Sequence, residues 1–361
     1  MTQTQKKKST DTTQKKSPET ATAPNVEQTN GSESSVSPKT QAKSANPPPT
    51  ARSTSSAPND HRLVGGGRTD SGRLMVHKTY KMWVGGKFIR SEQGRVLGLH
   101  NAEGDLVTHY VRASRKDLRD AVSAARSAQT PWATRSAFNR GQILFRAAEM
   151  IDARRESLIA RLQEHANLSA AEAAQEVDAA ADRMFWYAGW TDKYIQVLSS
   201  VNPVASSFFN FTLPEPTGVV AIFAPTNAPL LGLVSLIAPV ILSGNTCVVL
   251  VENNAPTLAI ELSEILATSD FPGGVVNILT GLRDELLPHA AGHMDINAIA
   301  SCGGNEAQDR AIQIAACESV KRVHFFEQPQ TLGAWCSERQ QSLYSILPFV
   351  EWKTAWHPIG V

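Results

Sequence analysis

Cysteine is scarce in this 361-residue chain. Cys247, Cys302, Cys317 and Cys336 are the whole set, and no two of them stand in a C-x-x-C spacing. That excludes a disulfide scaffold and the common zinc modules. Long apolar runs are missing too. None reaches the ~20 residues that span a bilayer, and the lysines near the start precede no apolar stretch of a secretory signal. Charge of one sign is not in excess: the formal net charge is +1, so no global basic field exists to hold nucleic acid. These absences predict a soluble, cytoplasmic protein that binds neither nucleic acid nor membrane.

Aromatic residues are absent before Tyr80. Residues 1–72 are instead rich in Ser, Thr, Gln, Lys and Pro, with seven prolines, PPP at 47–49 and GGG at 65–67. Such a segment buries too little apolar surface to offset the entropy of ordering it. It is expected to be a disordered, solubilising or tethering tail, dispensable for folding. The remainder divides into a domain over 73–328 and a short remnant over 329–361.

Order is expected from Tyr80. Gly85-Gly86 between Lys81–Val84 and Lys87–Ile89 signals a two-residue hairpin, because both turn positions need positive φ. Ser114 opens a helix carrying Leu118, Val122 and Ala125. A second helix follows Asn139, with Leu144, Ala148, Ile151, Leu158 and Leu162 on its apolar face. A third begins at the capping box Ser169-x-x-Glu172 and runs through Phe185, Trp186, Tyr187 and Trp190, aromatics that read as core or interface.

The pattern changes at Pro216. Continuous apolar runs cover 218–224, 246–251, 274–279, 296–300 and 320–326, with starts 28, 28, 22 and 24 residues apart. Runs without alternation belong to strands buried on both faces of a parallel sheet. Helical stretches between them, such as those after Pro229 and Pro256 and over 306–316, predict an α/β, Rossmann-like, doubly wound sheet. Ligands of such sheets sit at the carboxyl ends of the strands. No G-x-G-x-x-G follows any strand. The strand-end turns are 224–229, 251–254, Thr280-Gly281 and 301–304, the last carrying the adjacent glycines Gly303 and Gly304 before a helix that could receive a phosphate. His289 and His293, with Asp295 beyond, make at most half a metal site, so no metal is expected.

Several segments together resemble the aldehyde dehydrogenase superfamily. Residues 215–229, E-P-T-G-V-V-A-I-F-A-P-T-N-A-P, are similar to its E-P-x-G-V-V-x-x-I-x-P-W-N-x-P. Ala238-Pro239 through Gly244-Asn245-Thr246 resembles A-P-A-L-x-x-G-N-T, and 271–281 resembles L-P-x-G-V-x-N-v-v-t-G. Residues 350–356 resemble the closing E-V-K-T-V strand that builds the family's oligomer. The resemblance implies thiolate attack on an aldehyde, hydride transfer to NAD or NADP, and thioester hydrolysis. It places the cofactor near Phe223, Pro225, Thr226, Glu252, Gly281, Gly303 and Gly304, and puts Asn227 on the oxyanion-binding amide.

The departures point elsewhere. Thr226 replaces the usual Trp. Val251 stands where a Lys would reach the ribose, in a turn continuing Glu252-Asn253-Asn254. The F-T-G-S turn reads Ser301-Cys302-Gly303-Gly304, and the E-L-G-G-K segment reads His324-Phe-Phe-Glu327-Gln-Pro. Only residues 328–349 separate Glu327 from the closing strand, where the family places its whole catalytic domain with the nucleophile loop. Cys302 lies on the wrong turn and Cys336 too close to Glu327, so both are poor nucleophiles, while Cys247 and Cys317 read as core. The resemblance with these departures implies a non-catalytic structural or regulatory partner with weak or absent NAD(P) binding. The alternative is an NAD(P)-dependent oxidoreductase with a degenerate site. Partners expected are a second copy or a full-length aldehyde dehydrogenase. The closing strand, with Trp352 and Trp356 on one face, is expected to pair with another chain or with the hairpin at 81–89.

Overall fold

A computed structural model describes residues 76–252 and 255–360. The expectation for residues 1–72, and that for Asn253 and Asn254, lie outside the described residues. The chain begins with β1 (Thr79–Tyr80), β2 (Met82–Val84), β3 (Lys87–Ile89), β4 (Val96–His100) and β5 (Leu106–Val111). Gly85 and Gly86 take φ of 59° and 79°, so the hairpin turn between β2 and β3 is the one the glycine pair predicts.

Four long helices follow: α1 (Arg115–Ala133), α2 (Ala137–Ala153), α3 (Arg155–Ala166) and α4 (Ala170–Trp190). Ser114 and Ser169 cap α1 and α4, each in a reciprocal capping box with Asp117 or Glu172. The single helix expected after Asn139 is two helices, broken at Arg154. Its heptad spacing from Ile151 to Leu158 runs in phase across the break, which hides it from periodicity. The break lets α3 turn towards another helix, α7 below, where His165 Nδ1 meets Thr257 Oγ1 at 2.7 Å.

Next come α5 (Tyr194–Leu198), β6 (Ser200–Asn202), β7 (Phe208–Pro216), β8 (Val219–Phe223), α6 (Leu231–Leu242), β9 (Thr246–Val251), α7 (Thr257–Ala267), β10 (Val276–Thr280), α8 (Arg283–Ala291), β11 (Ala298–Cys302), α9 (Glu306–Cys317), β12 (Arg322–Phe326), α10 (Leu332–Cys336) and β13 (Val350–Pro358). The main sheet has the order β12-β11-β8-β9-β10-β2-β3; its first five strands are parallel, and the hairpin adds antiparallel to β10. Every residue of β8 to β11 is buried. Alternate residues of β8 serve opposite cores. Val220 and Ile222 face the cluster of α2, α3, α4, α6 and α7, while Val219, Ala221 and Phe223 face that of α1, α8 and α9. The doubly wound α/β fold is therefore as the apolar runs predict. Strand order reverses between β8 and β11, which places the ligand crevice outside their carboxyl ends.

The closing strand departs from expectation. β13 does not meet the hairpin at 81–89; it pairs antiparallel with β7 of its own chain, from Val350 opposite Pro216 to Pro358 opposite Phe208. β7 is not among the expected strands, and it carries Pro214 and Pro216, residues that strands hold only where one side needs no N–H donor. Both prolines lie beyond Thr212, the last β7 residue paired with β6, so β7 there needs hydrogen bonds on one side only. The remnant over 329–361 is bound into the body: Trp335, Ile346, Phe349 and Val350 belong to the same apolar cluster as α4 and α6. No described helix is long and apolar enough to cross a membrane.

Candidate functional site

The parallel strands bring their carboxyl ends together in one row: the turn after Phe223, Glu252 after β9, Gly281 after β10, Gly303-Gly304 after β11 and Glu327 after β12. Glu176 of α4 sets the first of these turns. This carboxylate is buried, and its Oε1 accepts the N–H groups of Leu230 at 2.8 Å and Leu231 at 3.2 Å, buried donors at the start of α6, where the helix itself offers N–H groups no acceptor. Burial pushes its pKa above the ordinary carboxylate range, and those two N–H groups pull it part of the way back. Gly232 is needed just after: a Cβ there would lie 2.6 Å from Cγ of Pro225.

Asn227 is the position matched to an oxyanion donor. Its amide is occupied at both ends by the remnant. Nδ2 donates to the Pro329 carbonyl at 2.9 Å, and Oδ1 accepts from Trp335 Nε1 at 3.0 Å. Thr226 is held in the same way by Gln328, whose Oε1 accepts the Thr226 N–H at 3.0 Å and whose Nε2 donates to Thr226 Oγ1 at 2.8 Å. Arg183 anchors the far side of the plug. Buried in α4, it donates to Ser235 Oγ at 2.7 Å and to the carbonyls of Trp335 and Ser337 at 2.8 and 3.3 Å.

The glycine turn after β11 is likewise filled. A Cβ on Gly303, where φ is +70°, would stand 2.1 Å from Gln328 Oε1; one on Gly304 would stand 2.6 Å from Asp309 Oδ1 and 3.2 Å from Arg283 Nη2. Arg283 lies across the strand ends. Its guanidinium stacks 4.9 Å from the Phe223 ring centroid and donates to the Cys302 carbonyl at 2.8 Å and Ser301 Oγ at 2.7 Å, while its backbone N–H donates to Glu252. Burial lowers its pKa, opposed first by the Asp309 carboxylate.

A dinucleotide does not fit these residues. The space where glycine lets a pyrophosphate approach a helix N-terminus holds the Asp309 carboxylate, which repels phosphate. The cavity among Ala224, Val251, Glu252, Gly281 and Arg283 measures about 10 Å³, room for one water at most. Val251, at the position matched to lysine, is buried. A cleft of about 750 Å³ does open between Gly303, Gly304 and the remnant, lined by Asp309 and Glu327 and, on the remnant side, by Arg339.

The thiols stand apart from this row chemically. Burial pushes Cys302 up to about 12, so the thiol, not the nucleophilic thiolate, is the favoured form at neutral pH. Cys336 ends α10 half-buried, and burial raises its thiol too, against the pull of Arg183. Cys247 lies in the core, but Cys317, also read as core from the sequence, is instead on the exposed side of α9. His293 Nδ1 accepts the Asp295 N–H at 3.2 Å, and no group of three metal-ligating side chains converges among the described residues. Gln328, Trp335, Arg183, Arg283 and Asp309 are the site residues that sequence reasoning missed. The one local signal was Gln-Pro after Glu327, where the resemblance expects glycines.

Comparison with known proteins matches the aldehyde dehydrogenase family over residues 88–326. The chain is 30% identical over 250 residues to cytosolic aldehyde dehydrogenase 1 of Elephantulus edwardii, covering 67% of this chain and 49% of that protein. It is 32% identical over 225 residues to mitochondrial aldehyde dehydrogenase of Homo sapiens, covering 61% and 43%. Among solved structures, the NAD+ complex of aldehyde dehydrogenase from Bacillus cereus superimposes with a TM-score of 0.66 at 26% identity, covering 70% of this chain and 52% of that one. The chain spans about half the length of the curated relatives it matches.

Proposed function

The chain belongs to the aldehyde dehydrogenase family, and from that premise we propose that it is a non-catalytic member, a structural or regulatory partner that retains the family's sheet and closing strand. The observation that carries this reading is the state of Asn227. An amide whose Oδ1 accepts from Trp335 and whose Nδ2 donates to the Pro329 carbonyl is fixed in contacts with residues 329–335 rather than held ready for a developing oxyanion. The supporting chemistry is consistent. Cys302 is a protonated core thiol, and the strand ends hold Asp309, Arg283 and Gln328 where a cofactor would lie. Its partners are a second copy or a full-length aldehyde dehydrogenase, and cytoplasmic location goes with this reading.

Calorimetric titration of the full chain with NAD and NADP, beside an aldehyde oxidation assay, tests it. Each lost charge-assisted contact weakens binding by roughly 1.5–3 kcal/mol, about ten- to a hundredfold. No heat of binding in the micromolar range and no aldehyde-dependent reduction of cofactor are expected. Micromolar NAD binding with turnover would instead establish a working oxidoreductase.

A further inference from the structure

His289 and His293 have no place in the row of strand ends. His289 lies in the last turn of α8 and His293 just beyond it, and both line a cleft of about 700 Å³ whose other side is the start of α1. Asp295, the third residue of that motif, does not join them, because its Oδ1 accepts Arg126 Nε at 2.7 Å. Three cations do. Arg115, Lys116 and Arg119 of α1 line the same cleft, and among the described residues no carboxylate lines it. Such a lining repels a metal ion and attracts an anion.

The stability of α1 does not account for these cations. Arg115 and Lys116 are its first two residues and Arg119 follows one turn on, near the positive end of the helix dipole, where cations are disfavoured. Asp117, the one acid of the first turn, is spent on the capping box and on Ser91, whose Oγ donates to its Oδ2 at 2.6 Å. Lys116 and Arg119 have exposed partners in Glu92 at 2.8 Å and Asp120 at 3.1 Å, pairs that hold weakly in water. The Arg115 guanidinium has no hydrogen-bond or ion-pair partner among the described residues. Positions that break a local rule without a structural gain are where function is expected.

We propose that this cleft binds a small organic phosphate monoester. Guanidinium groups match phosphate oxygens with paired N–H donors, and Arg115 and Arg119 offer two of them beside the Lys116 ammonium. A phosphate monoester presents three terminal oxygens to these donors, where a carboxylate presents two. His293 Nδ1 accepts the Asp295 N–H at 3.2 Å, which leaves the ring proton on Nε2 as a further donor. Pro288 and Met294, the latter 73% exposed, give the organic body apolar surface. The volume lies within the range of about 300–1,000 Å³ usual for small-molecule sites. The cleft shares no residue with the row of strand ends, so it stands whether or not a dinucleotide binds there.

Calorimetric titration of the full chain at fixed ionic strength tests this, with phenyl phosphate as probe and inorganic phosphate and benzoate as controls. Phenyl phosphate should bind once per chain and at least tenfold more tightly than either control, since one lacks the ring and the other the dianion. Arg115→Gln with Arg119→Gln should lower that affinity at least tenfold. Without ligand, the melting temperature of this double variant should hold or rise, because cations leave the positive end of α1. His289→Glu, from the other helix, should weaken binding to a similar extent. No binding by the parent, equal affinity for the three probes, or unchanged affinity in either variant overturns the proposal. A melting temperature that falls with the loss of binding makes the arginines structural and overturns it too. Competition by NAD would move the probe to the strand ends and overturn this site.

Discussion

The indole Nε1–H of Trp335 donates to Oδ1 of Asn227 at 3.0 Å, across 108 residues of sequence. Trp335 itself is 2% exposed and packs in the cluster of α4 and α6. The bond thus makes a half-buried side chain matched to a catalytic role part of a structural contact.

Replacing Asn227 with Ala should therefore be felt in folding and not in chemistry. The Pro329 carbonyl and Trp335 N–H both lose partners, and a buried polar group left unpaired costs about 1–3 kcal/mol. Urea denaturation should show a loss in that range, while any residual aldehyde oxidation stays the same. A hundredfold drop in turnover at full stability would return Asn227 to a catalytic role.

Arg183 should be the strongest single tether of the remnant. Arg183→Met keeps most of the apolar stem but strands the carbonyls of Trp335 and Ser337. A stability loss of about 2–4 kcal/mol is expected from two unsatisfied acceptors and a lost bond to Ser235. Protease cleavage near 329–345 should quicken in the variant. Equal stability and equal cleavage would mean that the remnant is held by its apolar contacts alone.

Glu176 predicts a pH dependence. Its folded pKa is raised above the ordinary value of 4.5, so the folded state binds its proton more tightly than the unfolded state does. Its contribution to stability is then fully present below pH 4.5 and is lost as pH rises through the folded pKa. Glu176→Gln keeps an oxygen acceptor for the Leu230 and Leu231 N–H groups but carries no charge to desolvate. Denaturation at pH 5 and pH 8 should show the parent losing stability relative to the variant as pH rises. A variant that falls in parallel with the parent would assign that loss to another group.

Gln328 and Asp309 should be the groups that close the strand ends to a dinucleotide. Gln328→Ala alone removes the hydrogen bonds to Thr226 at a half-buried position and should change stability by about 1 kcal/mol. Combined with Asp309→Ala it also removes the carboxylate beside Gly304. The double variant should bind NAD at least tenfold more tightly than the parent in calorimetry. No gain would place the block at Arg283 and the small cavity beside Val251.

Much of the fold was legible without coordinates. The apolar runs at 218–224, 246–251 and 274–279, the Gly85-Gly86 turn, the helix start at Ser114 and the capping box of Ser169 are local signals, and each states its element through backbone chemistry. The break at Arg154 and strand β7 were not legible. The first lies between in-phase heptads, and the second carries prolines whose tolerance depends on which neighbours β7 has.

Sequence alone determined the parallel sheet, the family resemblance and the departures at Val251, Thr226 and Glu327. Composition, periodicity and turn residues act within a few positions of themselves. Tertiary structure alone decided that Gln328, Pro329 and Trp335 fill the site at Thr226 and Asn227, that Asp309 and Arg283 occupy the glycine cradle, and that β13 folds onto β7. Apart from Asp309, which lies near Gly304 in sequence, those pairings join side chains and strands far apart along the chain, and a hydrogen bond between distant partners leaves no periodic trace.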